Sequence, residues 1–207
     1  MNYSLVLLAA GKGERLNLGY NKVMYHFNDG KTIIQKALEI FIDDPDLEEV
    51  ILVVNEQSDL EVDDPRIRKV YGGATRQDSV RNGLNEVKGE YVLIHDGARP
   101  YLKKEHLEKV KQALEKDDAV ILGVFSKDTV KQVKDGYVQS TLDRNDIFLV
   151  QTPQAFRTAL IRDAYNTLKG SYTDDSSLLE QLGIPVKVVV GDYSNTKITY
   201  KEDLADL

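Results

Sequence analysis

Four aliphatic runs constrain this chain more than anything else in it: "LVLLAA" (Leu5–Ala10), "EVILVVN" (Glu49–Asn55), "YVLIHDGARP" (Tyr91–Pro100) and "AVILGVF" (Ala119–Phe125). Each contains a strand-length apolar stretch without the polar alternation of a half-exposed strand, as expected when both faces of a sheet are covered. Helical spacing separates them. Thr32–Asp43 places Ile33, Ile34, Ala37, Leu38 and Phe41 on one side. "GGATRQDSVRNGL" opens with a capping-box-like pair, Thr75 and Asp78, and continues into a stripe of Val80, Leu84 and Val87. Leu107, Val110, Ala113 and Leu114 mark a third helix, and a short strand is expected at Arg68–Tyr71. The last third predicts helices at Thr158–Leu168 and Asp175–Leu182, the latter closed by Gly183, and a strand in "PVKVVVGD". Apolar strands alternating with amphipathic helices predict an α/β fold with a mostly parallel central sheet. Ligands of such sheets sit beyond the carboxyl ends of the strands.

The polar clusters fall at those ends. The first run feeds "GKGERLNLGYNK", where a glycine loop can bring backbone N–H groups close to an anion and Arg15 and Lys22 add charge. The spelling fits neither a Walker loop nor a dinucleotide fingerprint, since Leu16 stands where the third glycine should be. "GGATRQDS" and "HDGARP" follow two other strands. Arg15, Lys22, Asp96 and Lys197 together suit a nucleoside triphosphate, and a carboxylate such as Asp96 amid phosphates suits Mg²⁺. His95 reads as a packed strand-end histidine rather than a metal ligand, and His26 and His106 take no role. No Ser-His-Asp set is evident.

Bulk properties narrow the classes. A chain of 207 residues with 42% hydrophobic and 29% charged content suits one globular domain spanning residues 1–207. Its net charge of −7 argues against a sequence-independent nucleic-acid binder but leaves room for a local positive pocket. The absence of cysteine excludes disulfides and thiolate metal sites. The first apolar run, of about seven residues, is too short for a signal peptide or a membrane span, so a cytoplasmic protein without membrane contact is expected.

One segment breaks the alternation. In "KDTVKQVKDGYVQSTLD" (Lys127–Asp143), Asp135-Gly136 sits between two alternating runs, the strongest short hairpin signal. Little core is left for it to join, so it reads as an arm leaving the domain at about residues 126–150 and seeking a partner.

Taken in order, "LAAGKGERL", "NK", "HDGARP", "DRN" with "QTPQAF", "TDDSSLLEQLG" and "NTKITYKEDL" resemble the methylerythritol-phosphate cytidylyltransferases from Leu5 to Leu204. The resemblance implies a Rossmann-like nucleotidyltransferase core and a homodimer interlocked through the arm. It also implies transfer of CMP from CTP to 2-C-methyl-D-erythritol 4-phosphate, with Mg²⁺, in isoprenoid-precursor synthesis. Residue by residue, it makes Arg15 and Lys22 stabilisers of transition-state charge. Ala9, Ala10, Gly11 and Gly13 become the CTP cradle, and Gly73, Ala74 and Ser79 face the cytosine. Asp96 becomes the metal aspartate beside the acceptor. Thr129 and Arg144 reach the neighbouring subunit's acceptor, and Lys197 positions the acceptor phosphate. Asn21-Lys22-Val23 departs from the family's usual Pro-Lys-Gln, Gly97 from its commoner alanine, and "TDDSS" from "TDEAS". A ribitol-phosphate or similar polyol-phosphate cytidylyltransferase shares nearly every CTP motif, but "KDTVK" and "LDRND" look closer to the methylerythritol enzymes.

Overall fold

The computed structural model describes residues 1–11, 20–56, 58, 60 and 62–204. Nine strands and five helices are found among them: β1 Tyr3–Leu8, α1 Ile33–Ile42, β2 Leu47–Val54, β3 Ile67–Tyr71, α2 Arg76–Glu86, β4 Tyr91–Asp96, α3 Lys104–Leu114, β5 Ala119–Phe125, β6 Val130–Lys134, β7 Tyr137–Leu142, β8 Phe148–Arg157, α4 Thr158–Thr167, α5 Ser176–Gln181 and β9 Lys187–Val190. Seven strands form one sheet in the order β3-β2-β1-β4-β8-β5-β9. All pair in parallel except β8, which runs antiparallel to both β4 and β5.

The helices form where the sequence gives them an apolar face, and the first two also carry side-chain caps. Thr32 caps α1 in a full capping box with Gln35, and Thr75 caps α2 in another with Asp78. Both boxes satisfy backbone donors that a helix start leaves open. One buried cluster lies between the sheet and α1 and α3, with Leu5, Leu7, Phe41, Leu52, Leu93 and Leu107 among its members. The other lies against α2, α4 and α5 and includes Val6, Ile51, Leu84, Ile94, Phe156 and Leu178. The central strands are therefore covered on both sides, which is why their sequences hardly alternate.

Two features position the site. The chain winds outward from β1, with β2 on one side and β4 on the other, and Leu8 pairs with Asp96 at the last register position. That is a topological switch point, where the crevice beyond the strand ends opens. The hairpin β6–β7 forms its own two-stranded sheet, turned by Asp135 (φ 52°) and Gly136 (φ 82°), and almost all of its residues are exposed. Two consecutive positive φ values make the primed turn that matches strand twist. No described helix is long and apolar enough to cross a membrane.

One strand in the sheet was not expected. "QTPQAF" belongs to β8, which inserts between β4 and β5. Pro153 argues against a central strand, but it falls where the β5 register shifts and just beyond the β4 pairing that ends at Gln154, so no ladder bond is needed there. The sheet is mostly parallel, with this antiparallel insert.

Candidate active site

A cavity of about 530 Å³ opens beyond the ends of β1 and β4. Ala9, Ala10 and Gly11 line it from the first strand, and Gly73, Ala74, Thr75, Arg76 and Ser79 from the loop and start of α2. Lys22, Asp96 and Lys197 complete the polar wall. Five segments far apart in sequence thus share one space, as expected for ligands at strand ends. Gly13 and Arg15 lie outside the described residues.

Local sequence explains how Lys22 reaches this place. Asn21 has φ −64° and caps the short 3-10 helix Lys22–Met24. Its side-chain amide donates to the Ala9 carbonyl at 2.6 Å, and its side-chain oxygen accepts from the Val23 N–H. That φ is the one a proline ring would impose, so Asn21 reproduces by hydrogen bonding what the family's proline fixes covalently. Lys22 Nζ donates to the Ile198 carbonyl at 2.7 Å, joining the first loop to "NTKIT".

Gly97 has a similar account. A Cβ there would lie 2.5 Å from Ile34 Cδ1 and 2.9 Å from the Leu8 carbonyl oxygen. The Ile34 side chain fills the space that a methyl at position 97 would take, and the glycine accommodates it.

Ser79 lines the cavity, but its hydroxyl is occupied. It donates to the Thr75 carbonyl at 2.9 Å and accepts from the Gly73 N–H at 3.1 Å. Its immediate physical role is to shape the Gly73–Ala74 loop.

Asp96 is buried and surrounded by cations. Lys197 Nζ stands 2.7 Å from Oδ2, Arg76 Nε 3.5 Å from Oδ1, and Arg99 Nε 3.8 Å from Oδ2. Burial alone would raise the Asp96 carboxyl, yet Lys197, Arg76 and Arg99 outweigh it and hold it well below the usual carboxylate range. Arg99 Nε is buried and makes no hydrogen bond among the described residues. Three cations, Lys22, Arg76 and Lys197, thus line a cavity whose only described acidic lining residue is Asp96, with Arg99 beside that carboxylate. In a chain of net charge −7 this is a focused anion site.

Behind Asp96 lies an ordered relay. His95 is fully buried; its Nε2 lies 3.1 Å from the Arg99 carbonyl, which can only accept, so Nε2 carries the proton. Nδ1 then accepts from the Thr152 hydroxyl at 3.1 Å, and that hydroxyl oxygen accepts from the Asp96 N–H at 3.0 Å. Burial pushes the His95 imidazole down to about 4, so it is neutral at physiological pH. It packs on Phe41 and is a framework residue, as its sequence context suggested. No cluster of three or more potential metal ligands exists among the described residues.

Thr129 and Arg144 do not line the cavity. Both lie at the exposed base of the hairpin, where Arg144 Nη1 donates to the Lys127 carbonyl at 3.0 Å. Sequence reasoning gave no role to Arg76 and Arg99, although both sit inside quoted motifs. A signal existed for Arg76: an arginine directly after a helix cap puts a cation at the positive end of the helix, which needs a compensating reason.

A doubly covered, mostly parallel sheet with a cationic cavity at its switch point defines an α/β protein built to bind an anionic ligand. Over residues 3–206 the chain matches the profile of IspD: 2-C-methyl-D-erythritol 4-phosphate cytidylyltransferase. It belongs to that family. The enzyme of that name from Geobacillus thermodenitrificans is 45% identical over 99% of this chain and 94% of its own length. The one from Clostridioides difficile is 40% identical over 98% and 90%. Among solved structures, the 4-diphosphocytidyl-2C-methyl-D-erythritol synthase of Anaerococcus prevotii superposes with a TM-score of 0.87 at 38% identity, covering 98% of this chain and 92% of that one.

Proposed function

We propose that this chain transfers the cytidylyl group of CTP to the phosphate of 2-C-methyl-D-erythritol 4-phosphate, releasing pyrophosphate. The observation that carries the reading is the single cavity joining a glycine-alanine backbone loop to Lys22, Asp96 and Lys197. Ala9, Ala10 and Gly11 would face the triphosphate, with Gly13 and Arg15 assigned by family likeness alone. Gly73 and Ala74, held by Ser79, would face the cytosine.

An oxygen of the acceptor phosphate attacks the α-phosphorus; the bond from that phosphorus to the bridging oxygen breaks, and pyrophosphate leaves in line. Both reactants are anions, so the protein's task is to bring them together and neutralise charge. Lys22 stands where it can meet charge developing on the α-phosphate and leaving group. Lys197 is assigned to the acceptor phosphate. A phosphate dianion is already nucleophilic near neutral pH, so no general base is required, in keeping with a neutral, walled-in His95.

Asp96 is the carboxylate that would hold Mg²⁺, a hard ion that takes one or two carboxylates and fills its shell with phosphate oxygens and water. As the one described acidic residue on the wall, Asp96 could supply that carboxylate once a bound ion takes an oxygen now shared with Lys197. When bound, the ion neutralises triphosphate charge. Chelation of divalent metal should therefore stop turnover, and added Mg²⁺ should restore it.

The acceptor half of the site is assigned to a homodimer. Val133, Tyr137 and Val138 are more than half exposed on the hairpin, at 56%, 76% and 60%. Such a strand pair is stable only when something covers it. A second copy would cover it and receive Thr129 and Arg144 beside its own cavity.

The reaction is tested by measuring pyrophosphate release from CTP with a panel of sugar-alcohol phosphates. Methylerythritol phosphate should be the preferred acceptor; preference for ribitol phosphate would overturn the assignment.

A further inference from the structure

Arg76 occupies an uncomfortable place. It is the first residue of α2, where the helix end is positive, and it faces a cavity already holding Lys22 and Lys197. What keeps it there is Asp175, which is fully buried. Arg76 Nη1 and Nη2 donate to the two carboxylate oxygens of Asp175 at 2.9 Å each, a parallel fork. The Tyr165 hydroxyl donates to the same carboxylate at 2.6 Å. The neighbouring residues lock the loop in turn: Gln154 donates to Asp174 at 2.9 Å, and the Ser176 N–H donates to Gln154 at 3.0 Å.

With Nη1 and Nη2 each donating to Asp175, Nε faces Asp96, 3.5 Å from Oδ1. Asp96 is therefore held on three sides: its N–H by Thr152, Oδ2 by Lys197 and Oδ1 by Arg76. Of the three cations around the carboxylate, Arg99 stands farthest, 3.8 Å from Oδ2, and Lys197 is a flexible point charge assigned to the acceptor. It has to be shared with the incoming phosphate, whereas the Arg76 fork is fixed from behind.

We propose that Arg76, clamped by Asp175 and Tyr165, is a positioning residue that keeps the Asp96 carboxylate oriented when Lys197 turns to the acceptor. This rests on the reaction proposed above. Burial opposes the Arg76 charge, but Asp175 more than compensates and the guanidinium stays fully charged. The "TDDSS" segment thereby acts on the reaction through two intervening side chains, without lining the cavity itself.

The test uses mild variants, because Asp175→Asn would remove a fully buried carboxylate that Arg76 and Tyr165 both bind and could unfold the protein. Arg76→Lys keeps the charge but loses the fork; Tyr165→Phe removes only one hydroxyl. For these and the double variant, kcat would be measured per CTP-binding site, with CTP affinity by equilibrium binding and Tm alongside. Arg76→Lys should lower kcat about tenfold or more with CTP affinity within about threefold of wild type, as small misplacements at a reacting centre do. Tyr165→Phe should lower kcat less, and the double variant should be no slower than Arg76→Lys alone, because the hydroxyl acts only through the fork. Additive losses in kcat, a lowered Tm with unchanged kcat, or weakened CTP binding with unchanged kcat would each overturn the clamp. Wild-type protein that turns over no acceptor would overturn the reaction assignment, and the clamp's role with it; a normal wild type with unaffected variants would overturn the clamp alone.

Discussion

The cavity wall and the hairpin arm are built on opposite principles. At the wall, Asp96 and His95 are buried, and their hydrogen bonds reach to Thr152 on a strand more than fifty residues away. On the arm, nearly every side chain from Val130 to Leu142 is exposed, and the strands pair only with each other. The described wall is built from one subunit, whereas the arm presents exposed apolar side chains and an arginine whose Nη1 donates to the Lys127 carbonyl, away from the cavity. The contrast teaches where the proposed half-sites would divide: the CTP residues and Lys197 sit on the core's cavity wall, and Thr129 and Arg144 stand on the outward-facing arm.

Breaking the wall should have the largest effect. Lys22→Ala removes a cation at the cavity and should lower kcat by about 10²–10³, in line with losses of single charge-stabilising donors elsewhere. Its Tm should stay close to wild type, since Lys22 lies in a 3-10 turn outside the packed core. Retention of kcat within about threefold would remove Lys22 from the chemistry.

The His95 relay can be probed through pH. Its folded pKa of about 4 lies below the unfolded value of 6.5, so the unfolded chain binds the extra proton between these limits. Stability from this residue is therefore fully present above pH 6.5 and is lost as pH falls toward 4. From pH 7 to pH 5 the loss should be about 2 kcal/mol, read from urea midpoints. His95→Gln should be less stable at pH 7 but should lack most of that pH-dependent loss; an equal loss in the variant would assign it to other groups.

Tyr137→Ser sharpens the comparison from the other side. Tyr137 is 76% exposed in the isolated chain, so the change should leave monomer stability within about 0.5 kcal/mol. It should nevertheless weaken self-association, as measured by sedimentation across a dilution series. A large loss of monomer stability with unchanged association would place the arm against its own subunit.

The two regions were also unequally legible. Parallel strands announced themselves because burial on both faces demands continuous aliphatic runs, and the Asp135-Gly136 turn announced the arm because few residues tolerate two positive φ values. Thr75 with Asp78 caps α2 where its spelling placed it, and α1 starts beside Thr32, where the apolar spacing began, on a Thr32–Gln35 box that had not been expected. Strand β8 was hidden, since Gln151, Thr152 and Gln154 are polar yet buried. Their partners are Asp192 and Asn195, His95 and Asp96, and Asp174 and Ser176, all distant in sequence, so nothing local distinguishes them from loop residues. Arg76 was hidden for the same reason: its role depends on Asp175, ninety-nine positions away.

The division of labour between wall and arm is tested most directly by mixing subunits. Arg144→Ala and Lys22→Ala homodimers should each be nearly inactive. If Arg144 serves the partner's cavity, a mixed dimer has one site carrying both defects and one carrying neither. Random pairing makes half the dimers mixed, each with one intact site of two, so activity should recover to about a quarter of wild type. No recovery after demonstrated subunit exchange would mean that Arg144 acts within its own subunit, and the division drawn between wall and arm would be wrong.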